Sequence, residues 1–438
     1  MDTPNLLVIH TDQQSCWSLS SYGGTLVDTP HIDSLAEQGA ILTNFFANTA
    51  VCTPCRGCFI TGRYPHAHGA YQNNIPLNRD EVTFAQVLLD QGYETGYAGK
   101  WHLDGTPRPG WVHPDRGMGF SDNYYMFNRG HWKKIEDNSQ GDVQPTIFEY
   151  GVTGDETTYP TDWLAEKVID FVSRDRDKPF CHMVSIPDPH GPFHTRPPYS
   201  DMYDPADMPL PDTLHKDDHL PGWAKAARGA PSDDRLKQSK AWYCGEVKLI
   251  DDCVGRMLDA LREKGILDDT VVVFTSDHGE YMGEHGLMGK NQLYETAHRV
   301  PMLIRWPEKI AAGTQVDQCV STVDFQSTIL GLMGFEKCGR EQGHDASSLL
   351  TGENTDWEDL AYIHHSSLER AGIFTPDYQL AFVKDQEHIL FDRKNDPDQL
   401  NNLFLDVDHQ GVVKELTEQV VAHNENVDAP ATRWLKAM

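Results

Sequence analysis

"TVVVFTSDHG", Thr270 to Gly279, is an unbroken apolar and β-branched run that stops abruptly on four polar or flexible residues. Such a run reads as a strand buried on both faces, with its carboxyl end delivering polar side chains to one place. The helical stretch "SKAWYCGEVKLIDDCVGRMLDALREKG" (239–265) precedes it. The same alternation recurs along the chain. "NLLVIHTD" (5–12) is followed by helical "PHIDSLAEQG" (30–39), and helical "TFAQVLLDQG" (83–92) by "YETGYAGKWH" (93–102). Helical "DWLAEKVIDFVSR" (162–174) leads into "PFCHMVSIPDPH" (179–190), and "VPMLIRWP" (300–307) into helical "VDFQSTILGLMG" (323–334). Strand and helix taking turns predicts an α/β protein with a large, mostly parallel central sheet flanked by helices. Ligands in such sheets bind beyond the carboxyl ends of the strands, which singles out "HTDQQ", "GKWH", "PDPHGP" and "SDHGE".

After "LLTGENTDWED" (349–359) the texture changes. The short apolar runs "LAYIHH", "YQLAFVKD" and "HILFDRKNDP" predict a small antiparallel sheet, and "VVKELTEQVVAHNENV" a closing helix. The expected division is a catalytic domain over 1–355 and a C-terminal subdomain over 356–438. Two long connections, about 104–160 and 191–235, are rich in Pro, Gly, Trp, Tyr and His and are expected to wall the active site.

A formal charge of −29 over 438 residues excludes a nucleic-acid partner, whose phosphates demand cations. No stretch is apolar and long enough to span a membrane. The chain opens directly on "PNLLVIHTD" without a secretory pattern. The expectation is therefore the cytoplasm at face value, or the periplasm if a leader was trimmed. Nine scattered cysteines do not resemble a disulfide framework, and most are expected to be small core residues.

Three of those cysteines sit close together in "VCTPCRGCFITGR" (51–63), at positions 52, 55 and 58. Zinc would need a fourth ligand, and no second close pair exists. A redox or buried thiol cluster leaves Pro54, Arg56, Thr61, Gly62 and Arg63 unexplained. Cys-x-Pro-Cys-Arg followed by Thr-Gly-Arg resembles the signature of the formylglycine-dependent sulfatases of the alkaline phosphatase superfamily. "TDQQ", "GKWH", "PDPHGPF", "SDHGE", "GKNQLYE" and the tail "LFDRKNDPDQLNNL" are similar to further motifs of that family, in its order and over nearly the whole chain.

The resemblance implies an alkaline-phosphatase-like sandwich and a sulfuric ester hydrolase. Cys52 would be oxidised to formylglycine by a maturation enzyme that reads Pro54 and Arg56, whereas Cys55 and Cys58 would be ordinary small residues. The hydrated aldehyde would attack sulfur to give a covalent sulfo-enzyme, and its second hydroxyl would then expel sulfate. Asp12, Gln13, Asp277 and His278, with position 52, would hold a divalent metal. Arg56, Lys100 and Lys290 would supply cations to sulfate, His190 would protonate the departing alcohol, and His102 would bond to the formylglycine. Gln13 and His278 stand where the family commonly has Asp and Asn. Oxygen-rich ligation favours Ca2+, with Mn2+ the alternative because imidazole suits it. The same pair is similar to the phosphonate monoester hydrolases, which keeps a phosphonate or phosphodiester substrate as the alternative. A non-catalytic glycan-binding relative would show damaged motifs, and these are intact. Aromatic and cationic residues in the presumed wall loops favour a sulfated polysaccharide or oligosaccharide, with Arg116, Arg129, His131 and Lys133 as candidate subsite residues.

Overall fold

The alternation of strand and helix gives the layered architecture the sequence predicts. A computed structural model of the chain describes residues 3–105, 110–137, 146–147, 151–353 and 356–438. Its central sheet has eight strands. From one edge to the other they are Thr314–Val316, Ala40–Leu42, Met302–Arg305, Thr270–Ser276, Asn5–Thr11, Phe180–Ser185, Glu94–Lys100 and Asp122–Phe127. Met302–Arg305 runs antiparallel to both neighbours, and every other pairing is parallel.

Because side chains alternate across a strand, each central strand feeds two cores. Leu7, Ile9, Val272, Phe274 and Val184 face the layer that holds helices Pro30–Glu37, Pro160–Val172 and Asp233–Glu263. Leu6, Val8, Val271, Val273 and Met183 face the layer that holds Cys52–Thr61, Phe84–Asp90 and Phe325–Met333. Each fully buried Val, Leu, Ile or Phe contributes about 1.5–3 kcal/mol, so these layers hold the four central strands rigidly.

The C-terminal sheet is an antiparallel meander of four strands, Ala361–His364, Arg370–Phe374, Tyr378–Val383 and Ile389–Asp392. Its two faces also alternate. Ala371, Ile373, Leu380 and Phe382 pack under the closing helix Gln410–Asn426, while Phe374, Ala381 and Val383 pack on Phe46, Tyr281 and Tyr294 of the large core. The expected boundary at 355 lies outside the described residues. Arg370–Phe374 is a strand that the apolar runs did not announce, since "RAGIF" carries a charge and a glycine. The presumed wall loop 104–160 likewise contributes the edge strand Asp122–Phe127. Part of that loop (106–109, 138–145 and 148–150) lies outside the described residues. Among the described residues no helix is long and apolar enough to cross a membrane.

Candidate active site

Four adjacent parallel strands end at one place. Thr270–Ser276 delivers Asp277 and His278, Asn5–Thr11 delivers Asp12 and Gln13, Phe180–Ser185 leads to His190, and Glu94–Lys100 delivers Lys100 and then His102. Facing them is the helix Cys52–Thr61, whose first residue is Cys52. Pro54 fits there because the first helical turn has no intrahelical N–H partner to lose. Val51 offers no side-chain cap, and Asn73 Oδ1 instead accepts from the Thr53 N–H at 3.1 Å. The second half of the signature ends the helix. Gly62 takes the left-handed conformation (φ 64°) and Thr61 Oγ bonds back to the Gly57 carbonyl at 2.7 Å. Arg63 pairs with Glu81 at 3.6 Å.

The donor atoms of Asp12, Cys52, Asp277 and His278 all lie within 4.8 Å of one another, in a fully buried cluster. His278 Nδ1 donates to the Gly279 carbonyl at 3.0 Å, leaving the Nε2 lone pair for the cluster. Nε2 stands 3.1 Å from the Cys52 sulfur, 3.5 Å from Asp277 Oδ1 and 3.8 Å from Asp12 Oδ1. Two carboxylates, an imidazole nitrogen and position 52 converging this way fit a divalent cation. Gln13 adjoins the cluster: its N–H donates to Asp277 Oδ1 at 3.0 Å, but its side chain is held between Lys290 and Glu280.

Arg56, one turn along the helix, is 2% exposed and spends its guanidinium inside the site. It donates to Asp277 Oδ2 at 3.0 Å, Asp12 Oδ2 at 3.2 Å, Ser185 Oγ at 2.6 Å and the Lys100 carbonyl at 3.0 Å. Its geometry is that of a brace for two carboxylates. Lys100 Nζ also bonds Asp12 and reaches His131 Nε2 at 3.4 Å. Lys290 Nζ bonds Gln13 and donates to His190 Nε2 at 2.7 Å, and His190 Nδ1 meets the Gly191 carbonyl at 2.7 Å. Burial and the Cys52 group oppose ionisation of Asp12, yet Lys100, His190 and Arg56 hold its carboxyl far below the usual range. Burial would raise the Cys52 thiol, but Lys100, Lys290 and His278 together pull it well below its ordinary value. His278 is lowered by burial and raised by Asp277, with a net upward shift, whereas burial and Lys290 depress His190. Burial, followed by Lys100, likewise depresses His102, which interacts with the sulfur.

The four subsite candidates separate. His131 lies inside the centre, its ring stacked on His190 at 3.8 Å and 11°. Arg129 bonds Asn74 Oδ1 at 2.9 Å, beside the turn that caps the Cys52 helix. Arg116 is committed to Asp104 at 2.6 Å. Lys133 requires correction: it is 7% exposed and bonded to Asp188 and Glu246 at 2.6 Å each, so it is a buried cation within the protein. Sequence reasoning missed Ser185 and Glu280. Glu280 lies in the quoted "SDHGE", but nothing in the pattern announces that its carboxylate accepts from Gln13 and from the Met282 and Gly289 N–H groups. Cys55 and Cys58 are fully buried small residues, and Cys338 is the one exposed thiol.

The Sulfatase family profile matches residues 4–335, which include every group in this centre. The chain belongs to the sulfatase family. Residues 283–426 of this sulfatase also match the N-sulphoglucosamine sulphohydrolase C-terminal family, which spans the small sheet and closing helix. The chain is 30% identical to an N-acetylglucosamine-6-O-sulfatase of Bacteroides thetaiotaomicron, over 95% of this chain and 85% of the relative. It is 29% identical to an ulvan-active sulfatase of Formosa agariphila, over 92% and 77%. A structure solved in complex with its substrate D-glucosamine-2-N,6-O-disulfate superposes with a TM-score of 0.81 at 26% identity, covering 98% of both chains. The protein is a sulfuric ester hydrolase of the formylglycine-type, alkaline-phosphatase-like class.

Proposed function

We propose that this sulfatase removes sulfate from a sulfated polysaccharide or oligosaccharide, using formylglycine made from Cys52 by a maturation enzyme. The observation that carries the reading is the position of Cys52 at the start of its helix, facing Asp12, Asp277 and His278 with Lys100, Lys290 and His190 around it. Relatives of similar length whose names specify N-acetylglucosamine and ulvan sulfates support a carbohydrate substrate.

Residue 52, as the aldehyde hydrate, supplies the hydroxyl that attacks sulfur, and a covalent sulfo-enzyme follows. Asp12, Asp277 and His278, with Gln13 adjoining, would hold the divalent cation, which polarises the nucleophile and neutralises sulfate oxygens when bound. Oxygen donors favour Ca2+, and the His278 nitrogen favours Mn2+. Arg56 holds both carboxylates aimed at the cluster. Lys100 and Lys290 meet the anion with charge set in place before the reaction. His190, whose Nδ1 faces the Gly191 carbonyl and whose Nε2 faces Lys290 Nζ, delivers the proton to the departing alcohol from Nε2 when its ring is protonated. Arg129, which bonds Asn74 beside the capping turn, is the candidate for a contact to the sugar.

The test is sulfate release, by ion chromatography, from a panel of sulfated glycans incubated with protein matured alongside a formylglycine-generating enzyme, with Cys52→Ala as control. Release from at least one glycan, absent in the control, is expected. If peptide mass shows the aldehyde and no glycan yields sulfate, the carbohydrate reading fails and phosphonate monoesters become the substrates to assay.

A further inference from the structure

His190 sits on the connection that leaves strand Phe180–Ser185, and this connection is fastened on both sides of it. Before His190, Asp188 accepts from Lys133 Nζ at 2.6 Å through Oδ1 and from Thr161 Oγ at 2.7 Å through Oδ2. After it, the His194 N–H donates to Glu246 Oε1 at 2.9 Å, and the same oxygen accepts from Lys133 Nζ at 2.6 Å. Tyr159 closes the knot, its hydroxyl 3.3 Å from Lys133 Nζ and 3.2 Å from the His194 carbonyl. Lys133, Asp188 and Glu246 are 7%, 3% and 0% exposed, so these bonds compete with almost no water.

The segment that provides Lys133 also reaches the ring itself. His131, two residues earlier, stacks on His190 at 3.8 Å and bonds Lys100. Between the two, Trp132 is buried against Phe127 at 5.0 Å, anchoring the segment in the large core. Glu246 belongs to the 31-residue helix Asp233–Glu263, the longest element described. The knot therefore refers the position of one catalytic imidazole to a rigid helix rather than to its own loop.

We infer that residues 131–133 form a clamp that positions His190 for proton transfer: Lys133 fixes the connection on both sides of it through Asp188 and Glu246, and His131 fixes the plane of its ring. Lys133, Asp188 and Glu246 touch no substrate and are positioning residues. The inference rests on the reading of the centre as a sulfatase site with His190 as proton donor. General acids contribute about 10²–10⁴ in rate where the leaving group needs a proton, and far less where it does not. A loosened His190 therefore has a signature that a general loss of structure lacks.

The experiment measures kcat and KM of the matured protein on 4-nitrophenyl sulfate, whose leaving group departs readily, and on phenyl sulfate, whose leaving group departs poorly. Wild type, His190→Ala, Lys133→Met and His131→Ala are compared. His190→Ala is expected to widen the kcat ratio between the two esters by about tenfold or more. Lys133→Met and His131→Ala are expected to widen it in the same direction, with KM changed less than kcat. Equal losses on both esters in the two clamp variants, beside a widened ratio in His190→Ala, would overturn the clamp and leave the sulfatase reading standing. An unchanged ratio in His190→Ala would instead remove the proton donor, and the clamp falls with it; should wild type cleave neither aryl ester, the four proteins are compared on the glycan that releases sulfate, where kcat losses in Lys133→Met and His131→Ala that exceed the loss in His190→Ala would overturn the clamp and losses up to that size would support it. Should Lys133→Met fail to fold, His131→Ala decides the matter, because its ring lies at the centre and outside the buried knot.

Discussion

Among the buried and half-buried histidines, His278 and the pair His364 and His423 are treated in opposite ways. In the catalytic centre His278 stands among Asp12, Asp277 and position 52, and the Asp277 carboxylate outweighs burial to raise its proton affinity. At the seam between the small sheet and the rest of the molecule, His364 and His423 meet Nε2 to Nε2 at 3.0 Å. They are sandwiched by Tyr64, 4.2 Å from His364, and Tyr362, 3.5 Å from His423. Burial depresses both, and the other charges they feel come from further imidazoles. The same side chain thus gains proton affinity where carboxylates surround it and is a packed neutral ring where aromatics do. The partners decide, not the depth.

Substitutions in the catalytic centre should give the larger effects. Cys52→Ala is expected to lower kcat about a thousandfold or more, because the other residues cannot replace a nucleophile. Its thermal midpoint should stay within a few degrees of wild type, since only one sulfur atom is lost; a large fall in midpoint would make position 52 a packing residue instead. Arg56→Met comes next. It leaves Asp12 and Asp277 buried with Lys100 as the main remaining cation, and breaking a buried pair in this way costs about 3–5 kcal/mol. Urea unfolding in the presence of a chelator should show that loss, and added Ca2+ or Mn2+ should restore part of it. Equal stability of the two proteins under chelation would mean that Arg56 does not carry the carboxylates.

The difference between the regions also marks what the sequence could reveal. The strands "NLLVIHT" and "TVVVFTS", and the polar residues at their ends, were legible because a doubly buried parallel strand must be a continuous apolar run. The short strand Ala40–Leu42 and the edge strands Thr314–Val316 and Asp122–Phe127 were not, being short or containing residues suited to either side. Within the site, Cys52, the acidic residues and His190 could be picked out because they lie in motifs. The fate of Lys133 could not: among solvated lysines it looks the same, and only the fold brings Asp188 and Glu246, 55 and 113 residues away, to its ammonium group. The histidine seam was equally hidden, since "LAYIHH" and "VVAHNENV" are 59 residues apart at the two rings.

The smallest effect belongs to that seam and should appear in stability rather than in catalysis. His423 is pushed down to about 3, so between roughly pH 3 and its unfolded value near 6.5 the unfolded chain binds a proton that the folded chain refuses. Stability therefore rises with pH across this window and is lost as pH falls below about 6.5, by on the order of 1–2 kcal/mol per histidine at pH 5. His364, depressed in the same direction, adds to the slope. Replacing both rings, as His364→Phe with His423→Phe, keeps flat side chains between Tyr64 and Tyr362 and removes the titration, at the cost of the single Nε2 to Nε2 hydrogen bond. The double variant should then lose less stability than wild type between pH 7 and pH 5, while kcat at pH 7 stays within a few-fold. An unchanged pH slope would show that the folded seam takes up protons as readily as the unfolded chain does. A large fall in kcat would instead tie the seam to catalysis. Such a route exists in the structure: the His364 N–H donates to the Asn48 carbonyl at 2.8 Å, four residues before Cys52, so the small sheet bears directly on the segment that leads into Cys52.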